Sequence, residues 1–105
     1  MHRRTKMVAI PPKVRQEVET RDGFRCVFCG SSNCRGEGHY IRRSQGGLGI
    51  PQNLLTVCRI CHSAFDEGNN KEYYREIARE YLKSKYPDWN EDDLVYNKWK
   101  GFKYD

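Results

Sequence analysis

Four cysteines stand in two pairs of identical spacing, and thiolates are strong ligands for soft metal ions. Cys26 and Cys29 form one C-x2-C pair, and Cys58 and Cys61 form a second. Together the pairs supply four sulfurs for a closed tetrahedral zinc site with no position left open for a reaction. The spacing therefore predicts a structural zinc. The fifth cysteine, Cys34, is either a spare thiol or a replacement ligand for the first pair.

The second pair continues into C-x-x-C-H, a spacing that also serves haem attachment. A c-type haem is attached mostly in exported proteins, and the methionines that could complete it, Met1 and Met7, lie at the N-terminus. That terminus is basic but has no apolar run long enough for a signal peptide or a membrane span. We therefore set haem aside and expect a cytoplasmic, intracellular protein, whose paired cysteines bind metal instead of forming disulfides.

His62 and Asp66 are four residues apart, so on a helix they lie on one face and could share a second ion. An imidazole and a carboxylate suit magnesium, manganese, nickel or zinc, and cellular abundance favours magnesium. Such a pair more often forms only a surface hydrogen bond.

The charge of the chain is uneven. The formal net charge is +5, but residues 1–65 carry 11 Lys and Arg against 4 Asp and Glu, whereas residues 66–105 carry 8 against 10. A basic half that also holds the cysteines indicates a phosphate-binding surface, although solubility alone would explain the excess equally well.

The patterns around these residues predict one α+β domain in four parts. They are a flexible basic arm over 1–9, an N-terminal helix over 10–22, a zinc-stapled core over 24–67 and C-terminal helices over 69–105. In the core, "GHYIRRS" is typical of a strand, "QGGLGIPQN" of a loop, and a helix begins near Cys61. The clearest helix is "KEYYREIAREYLKSKYP", with apolar residues at helical spacing and Asn69 or Asn70 as cap. Asn90 caps a short terminal helix, and Trp89 and Trp99 anchor the packing of this end.

The core resembles the HNH endonucleases, the cysteine-bearing branch of the ββα-metal nucleases. The resemblance rests on "RDGFRCVFCG", "HYIRRSQGG" and "NLLTVCRICHSAFD" in this order, and the chain as a whole is similar to small HNH proteins of phages and prophages. It implies a ββα-metal core with a four-cysteine zinc site, and a metal-dependent DNA endonuclease or nickase. The protein would then be phage-encoded and act in the host cytoplasm.

The resemblance also implies a role for each matching residue. His39 would be the general base that activates water, Asn53 would hold the loop that orients His39, and His62 would bind the catalytic ion, with Asp66 as a further ligand. The ion, Mg²⁺ or another divalent metal, would polarise the phosphodiester, leaving 5′-phosphate and 3′-hydroxyl ends. One departure stands out: many members have a ligand just before the first histidine, where this chain has Gly38. Glu37, on the strand face of His39, is a substitute.

DNA is the expected partner. Arg42 and Arg43 beside the site, and Lys13 and Arg15 on the first helix, are candidates for contacts with phosphates. Two other functions stay open: a non-catalytic zinc-dependent DNA-binding module, and a phage packaging or repair accessory that contacts a protein partner through the C-terminal helices.

Overall fold

The computed structural model describes residues 8–96, and its elements form a small α+β fold, as expected. Three α-helices and two strands follow the order α1 (Pro12–Arg21), β1 (Arg35–His39), β2 (Leu54–Val57), α2 (Arg59–Glu67) and α3 (Lys71–Lys85). Short 3-10 turns cover Arg43–Gln45, Pro51–Asn53 and Glu91–Leu94. The antiparallel pair β1-β2 is the only sheet in this part of the chain, and α2 follows it directly.

Helix α1 packs directly on the sheet. It starts with Pro12, whose missing N–H costs nothing in a first helical turn, and it buries Val18 completely. The close approach requires glycine at position 36, since a Cβ there would lie 2.9 Å from Val18 Cγ1. The Gly36 N–H donates to Glu19 Oε2 at 3.0 Å. Helix and strand therefore form one unit below the first cysteine pair.

The strand expected in "GHYIRRS" ends earlier than predicted. In the sheet, Gly38 lies opposite Leu55 and His39 opposite Leu54, and β1 stops there. The next residue but one, Ile41, donates its N–H to the side chain of Asn53 at 2.8 Å. Because a side chain takes the place of a neighbouring strand, the chain leaves the ladder after His39 and turns.

The two later helices enclose the core. Helix α2 begins at Arg59, two residues before the expected start, since the N-cap residue Cys58 accepts the N–H of Cys61 at its sulfur. Helix α3 lies where its apolar spacing predicts, with Asn70 at its N-cap position and Ala78 and Leu82 completely buried. The core between the sheet and these helices consists of Tyr40, Leu55, Val57, Phe65, Ala78, Leu82 and Leu94.

A buried ion pair joins the end of α1 to β2 and α3. The Asp22 side chain is fully buried; it pairs with Arg21 at 2.7 Å and accepts the Thr56 N–H at 2.9 Å and the Tyr81 hydroxyl at 2.5 Å. Burial acts to raise the pKa of Asp22, but the hydrogen bonds from Arg21 and Tyr81 outweigh it and hold that pKa below its ordinary value. The carboxylate therefore stays charged and ties three elements together.

The prediction of a flexible arm over residues 1–9 does not hold for Val8. Val8 is 5% exposed, and its carbonyl oxygen lies 3.0 Å from His39 Nε2, so this residue belongs to the packed structure. Residues 1–7 lie outside the described residues, as does Trp99. Asn90 caps the turn Glu91–Leu94 through its side chain, as expected, but the turn is 3-10 instead of α-helical.

None of the helices within residues 8–96 has the length and apolar character to cross a bilayer. The cytoplasmic location stays a prediction.

Candidate metal centre and the adjoining cleft

The four paired cysteines converge at one end of the sheet. One sulfur from each of Cys26, Cys29, Cys58 and Cys61 lies within 4.8 Å of all the others, and the sulfurs of Cys29 and Cys58 are 3.6 Å apart. Sulfurs at about 2.3 Å from one tetrahedral ion stand about 3.8 Å from each other. The donor set therefore fits a single thiolate-bound metal ion.

The first pair lies on a tight knuckle between α1 and β1. The Gly30 N–H donates to Cys26 O and the Cys26 N–H donates to Ser31 O, both at 2.9 Å. Gly30 has a φ of 80°, a left-handed conformation that a side chain would disfavour. The Val27 N–H donates to Thr56 O at 3.0 Å, and this bond draws the knuckle to β2, next to the second pair.

Both knuckles also aim backbone N–H groups at a sulfur. The Phe28 N–H donates to Cys26 Sγ at 3.4 Å, and the Cys61 N–H donates to Cys58 Sγ at 3.3 Å. Donors of this kind stabilise a thiolate over a thiol and orient it toward an ion. The chain therefore prepares the sulfurs as anionic ligands.

The four sulfurs differ in their surroundings. Cys26 and Cys61 are buried, whereas Cys29 is exposed. Hydrogen bonding by the side chain and backbone of Ser31 lowers the pKa of Cys29 to about 6, while burial raises the pKa of Cys61 well above its ordinary range. Four thiolates at this spacing would repel one another, and a bound cation would balance their charge.

Cys34 lies beside the cluster without belonging to it. It is buried with Cys26 and Cys61, but its thiol donates to Ser31 O at 3.2 Å. Burial and then the neighbouring Cys26 raise the pKa of Cys34, which favours the neutral thiol. Its placement agrees with a spare thiol.

Six of the eight remaining predicted site residues line a separate cleft of about 730 Å³; Asn53 and Lys13 do not. His62 and Asp66 face each other at 3.2 Å, as their spacing predicts. Among the described residues, the four cysteines are the only group of three or more His, Cys, Asp or Glu side chains close enough to share an ion. The cleft is lined by Ala9, Ile10, Arg15, Glu37, His39, Arg42, Arg43, Ser44, His62 and Asp66.

His39 is 7% exposed, and its Nε2 atom is within bonding distance of Val8 O. Burial lowers the pKa of His39, and the nearby positive charge of Arg43 lowers it further, so the ring is neutral at pH 7. Asn53 is completely buried and bonds the backbone of Ile41 and Leu48, which fixes the loop between the strands. Both side chains already have protein partners.

Three of the four basic residues predicted for DNA contact, Arg15, Arg42 and Arg43, line this cleft, whereas Lys13 does not. Arg15 lines the cleft and pairs with Glu37 at 3.3 Å, so Glu37 faces an arginine. Arg42 donates to the Asp66 carbonyl oxygen, and Lys13 lies at a different pocket on α1. At position 38, a Cβ would lie 3.0 Å from Val57 Cγ2, which explains the glycine by packing.

Three further arginines lie next to cysteines in the chain. Arg25, Arg35 and Arg59 are exposed, and each is the chain neighbour of a cysteine. This adjacency to the cysteines is the sequence feature that could have marked the three arginines as candidates.

No family model matches this chain, and no solved structure matches it. Among curated proteins, the chain is similar to Anaredoxin of Nostoc sp. strain PCC 7120, with 32% identity over 60 residues. The match covers 56% of this chain and 79% of Anaredoxin. The name of that relative denotes a redox protein.

This relative corrects the functional interpretation. The prediction of an enzyme that hydrolyses phosphodiester bonds is wrong, and so are its nuclease and DNA-binding descriptions and the alternative of a DNA-binding module or packaging accessory, because the matched relative is a redoxin. The catalytic Mg²⁺ is without support. That the chain meets DNA or packaging proteins at all stays a prediction.

Proposed function

Because this chain belongs to the family of Anaredoxin, we propose that it is a one-electron carrier with a single iron ion bound by its two cysteine pairs. The observation that supports it most is the convergence of four sulfurs within 4.8 Å at an edge that reaches the surface. Iron bound by thiolates supplies a ferric and a ferrous state that differ by one electron.

The spacing of the sulfurs favours one ion over an iron–sulfur cluster. In a two-iron cluster, cysteine sulfurs on the same iron stand close together, but those on different irons are separated by the irons and bridging sulfides well beyond the distances around a single ion. Here all four sulfurs lie within 4.8 Å of one another. The 3.6 Å between Cys29 Sγ and Cys58 Sγ matches the single-ion value of about 3.8 Å.

The chain contributes three things to such a centre. The N–H groups of Phe28 and Cys61 donate to the sulfurs of Cys26 and Cys58 and lower the charge density on them. Hydrogen bonds of this kind tune a reduction potential. The packed side of the centre, with Phe28 and Tyr74 against the cysteines, keeps water away. Exposed Cys29 leaves one edge of the centre within reach of a partner.

A separate proposal concerns the fold of the core. We propose that β1, β2 and α2 are an HNH-type ββα core that has been put to a non-hydrolytic use. Its support is the direct order strand, strand, helix, with Asn53 bonding across the loop and His62 on the helix.

A second candidate is favoured by the same geometry, because four thiolates at this spacing suit zinc equally well. In that case the centre holds the fold together and carries no electrons. The two candidates differ in the metal and in its response to a reductant.

The test is metal analysis joined to spectroscopy. Protein from iron-supplemented cells, and protein refolded anaerobically with ferrous iron, is analysed for iron, zinc and acid-labile sulfide. We expect about one iron per chain, no labile sulfide, and a visible absorption that dithionite bleaches and air restores. The matched variants are Cys29→Ser, which should lose this absorption, and Cys34→Ser, which should keep it.

Two results would contradict the proposal. Zinc in both preparations, with no colour that responds to dithionite, would rule out the electron carrier and leave the structural zinc. Labile sulfide in proportion to iron would replace the single ion with a cluster.

A further inference from the structure

We propose that the two cysteine loops, residues 23–36 and 57–61, form a docking face for a redox protein with an acidic surface. The inference rests on the proposed electron-carrier function and names the partner of the same centre. We call this surface the cysteine face.

The charge of the cysteine face has one sign. The two loops contain Arg25, Arg35 and Arg59 and no Asp or Glu. All three arginines are exposed, and Arg25 donates from Nη1 to Gly30 O at 3.0 Å, so its guanidinium is held across the first knuckle. Arg35 lies opposite Val57 in the sheet, next to the second pair. A face of this kind attracts a negative surface.

The cysteine face also exposes two large hydrophobic side chains. Ile60, between the two cysteines of the second pair, is 81% exposed, and Phe24, just before the first pair, is 49% exposed. A third exposed ring, Tyr73 of α3, lies outside the two loops but borders them: it is 65% exposed and contacts Tyr74, which packs against Phe28 of the first knuckle. These are all the large hydrophobic side chains exposed within residues 8–96.

Exposed hydrophobic side chains close in the chain to exposed arginines are typical of a protein interface. Exposed Cys29 lies on this face, so a partner bound here would sit within a short distance of the metal. Interfaces for electron transfer are small and transient, which a patch of three hydrophobic side chains and three arginines can supply.

The rest of the chain gives such a partner a direction. Residues 66–96 carry 5 Lys and Arg against 9 Asp and Glu, a balance of −4, so the described part of the chain after the second cysteine pair is acidic whereas the two cysteine loops are basic. An acidic partner would therefore be turned with its negative side toward the cysteine face before contact.

The kinetic test measures oxidation of the reduced full-length protein by two outer-sphere oxidants: the trianion hexacyanoferrate(III) and the trication tris(phenanthroline)cobalt(III). The variant is Arg25→Gln/Arg35→Gln/Arg59→Gln. Its matched control is Lys13→Gln/Lys83→Gln/Lys85→Gln, which also lowers the formal net charge from +5 to +2 but leaves the cysteine face intact. Arg35→Gln and Arg59→Gln alone serve if the loss of the Arg25 bond disturbs the knuckle.

We expect the arginine variant to react with the trianion roughly tenfold more slowly than wild type, and the trication to react no more slowly. The lysine control should stay close to wild type. Equal slowing in both variants would assign the effect to net charge and overturn the docking face, and so would an unchanged rate in the arginine variant.

A binding test is independent of the iron. A glutamate-rich peptide is titrated into the zinc-loaded, diamagnetic protein, and backbone NMR shifts are followed. We expect shifts confined to the cysteine face, strongest around Ile60, and their loss in the arginine variant. Shifts elsewhere, or tighter binding of a short DNA duplex to the same loops, would overturn the acidic protein partner. If the protein holds no reducible metal, the proposed function fails, and this titration still decides the docking face.

Discussion

Two groups of polar side chains adjoin helix α2, the cysteine cluster and the cleft, and they differ in how their polar atoms are paired. At the start of the helix, four sulfurs lie within 4.8 Å of one another, and the sulfurs of Cys29 and Cys58 are 3.6 Å apart. Along its outer side, the cleft residues are paired within the protein: His39 with Val8, His62 with Asp66, and Arg15 with Glu37.

The cysteine cluster would therefore be stabilised by a bound cation, whereas the cleft is stabilised by its own hydrogen bonds and ion pairs. Four thiolates side by side would repel each other until a cation bound, so under the proposed function the bound metal would supply much of the stability of the cysteine cluster. The cleft already has its hydrogen bonds and ion pairs, and a ligand would have to displace some of them. Three predictions follow from this contrast.

The largest effect should come from Cys58→Ser. Removing one of four thiolates leaves an incomplete tetrahedral site, and apparent binding energies of about 10–16 kcal/mol for such sites in small peptides show how much stability depends on the metal. We expect loss of most bound metal and no cooperative thermal transition near that of wild type. Metal content and circular dichroism melting measure both.

Cys34→Ser is the matched control for this prediction, since Cys34 is buried against the cluster but bonds to Ser31 O. It should retain its metal and melt close to wild type. Equal metal loss in the two variants would make Cys34 a ligand and break the four-cysteine assignment.

An intermediate effect is expected for Asn53→Ala in the loop that borders the cleft. The substitution leaves the Ile41 N–H and the Leu48 carbonyl oxygen without their buried partner, which should lower the free energy of unfolding by about 2–4 kcal/mol. Metal content should stay as in wild type, because the loop stands apart from the sulfurs. Denaturant unfolding of the metal-loaded protein measures the change.

Asn69→Ala, in the exposed turn before α3, is the control and should change the stability by no more than about 0.5 kcal/mol. Metal loss in Asn53→Ala would show that the cleft and the cluster are one cooperative unit.

The smallest effect concerns His39. Burial and the charge of Arg43 lower its pKa below the ordinary 6.5, so the unfolded chain takes up a proton there at a higher pH than the folded one. This contribution to stability is complete above about pH 6.5. It decreases as the pH falls below that value, until the folded pKa is reached.

Two measurements check this sign. An NMR titration of the His39 ring should give a midpoint below 6.5, and the loss of stability between pH 7.5 and pH 5.5 should be smaller in His39→Gln than in wild type. An identical pH dependence in the two proteins would show that His39 is solvated and that the cleft is less closed than its contacts indicate.

Local spacing predicted the parts of the molecule that depend on a few neighbouring residues. The C-x2-C pairs, the apolar stripe of α3, the His62–Asp66 pair and the Asn90 cap each span at most a few turns, and the structure has all of them. The end of β1 and the position of Val8 were not predictable in this way. Each depends on a partner far away in the chain: Asn53 for Ile41, and His39 for Val8.

The functional interpretation went wrong where it relied on the order of residues in a motif. His39 and His62 do line one cleft, but order along a chain does not tell which polar groups are already satisfied by the protein. The redoxin relative indicates instead that the four cysteines at the start of α2 are the functional site to test.

By itself, the sequence determined that four thiolates would be available in two preorganised pairs, because each pair is set by the geometry of one turn. Only the tertiary structure decided that the pairs would meet. The Val27–Thr56 backbone bond and the packing of α1 through Gly36 bring together segments that are far apart in the chain. Only the fold, likewise, left Cys29, Ile60 and three arginines exposed, because exposure depends on what does not pack against a residue.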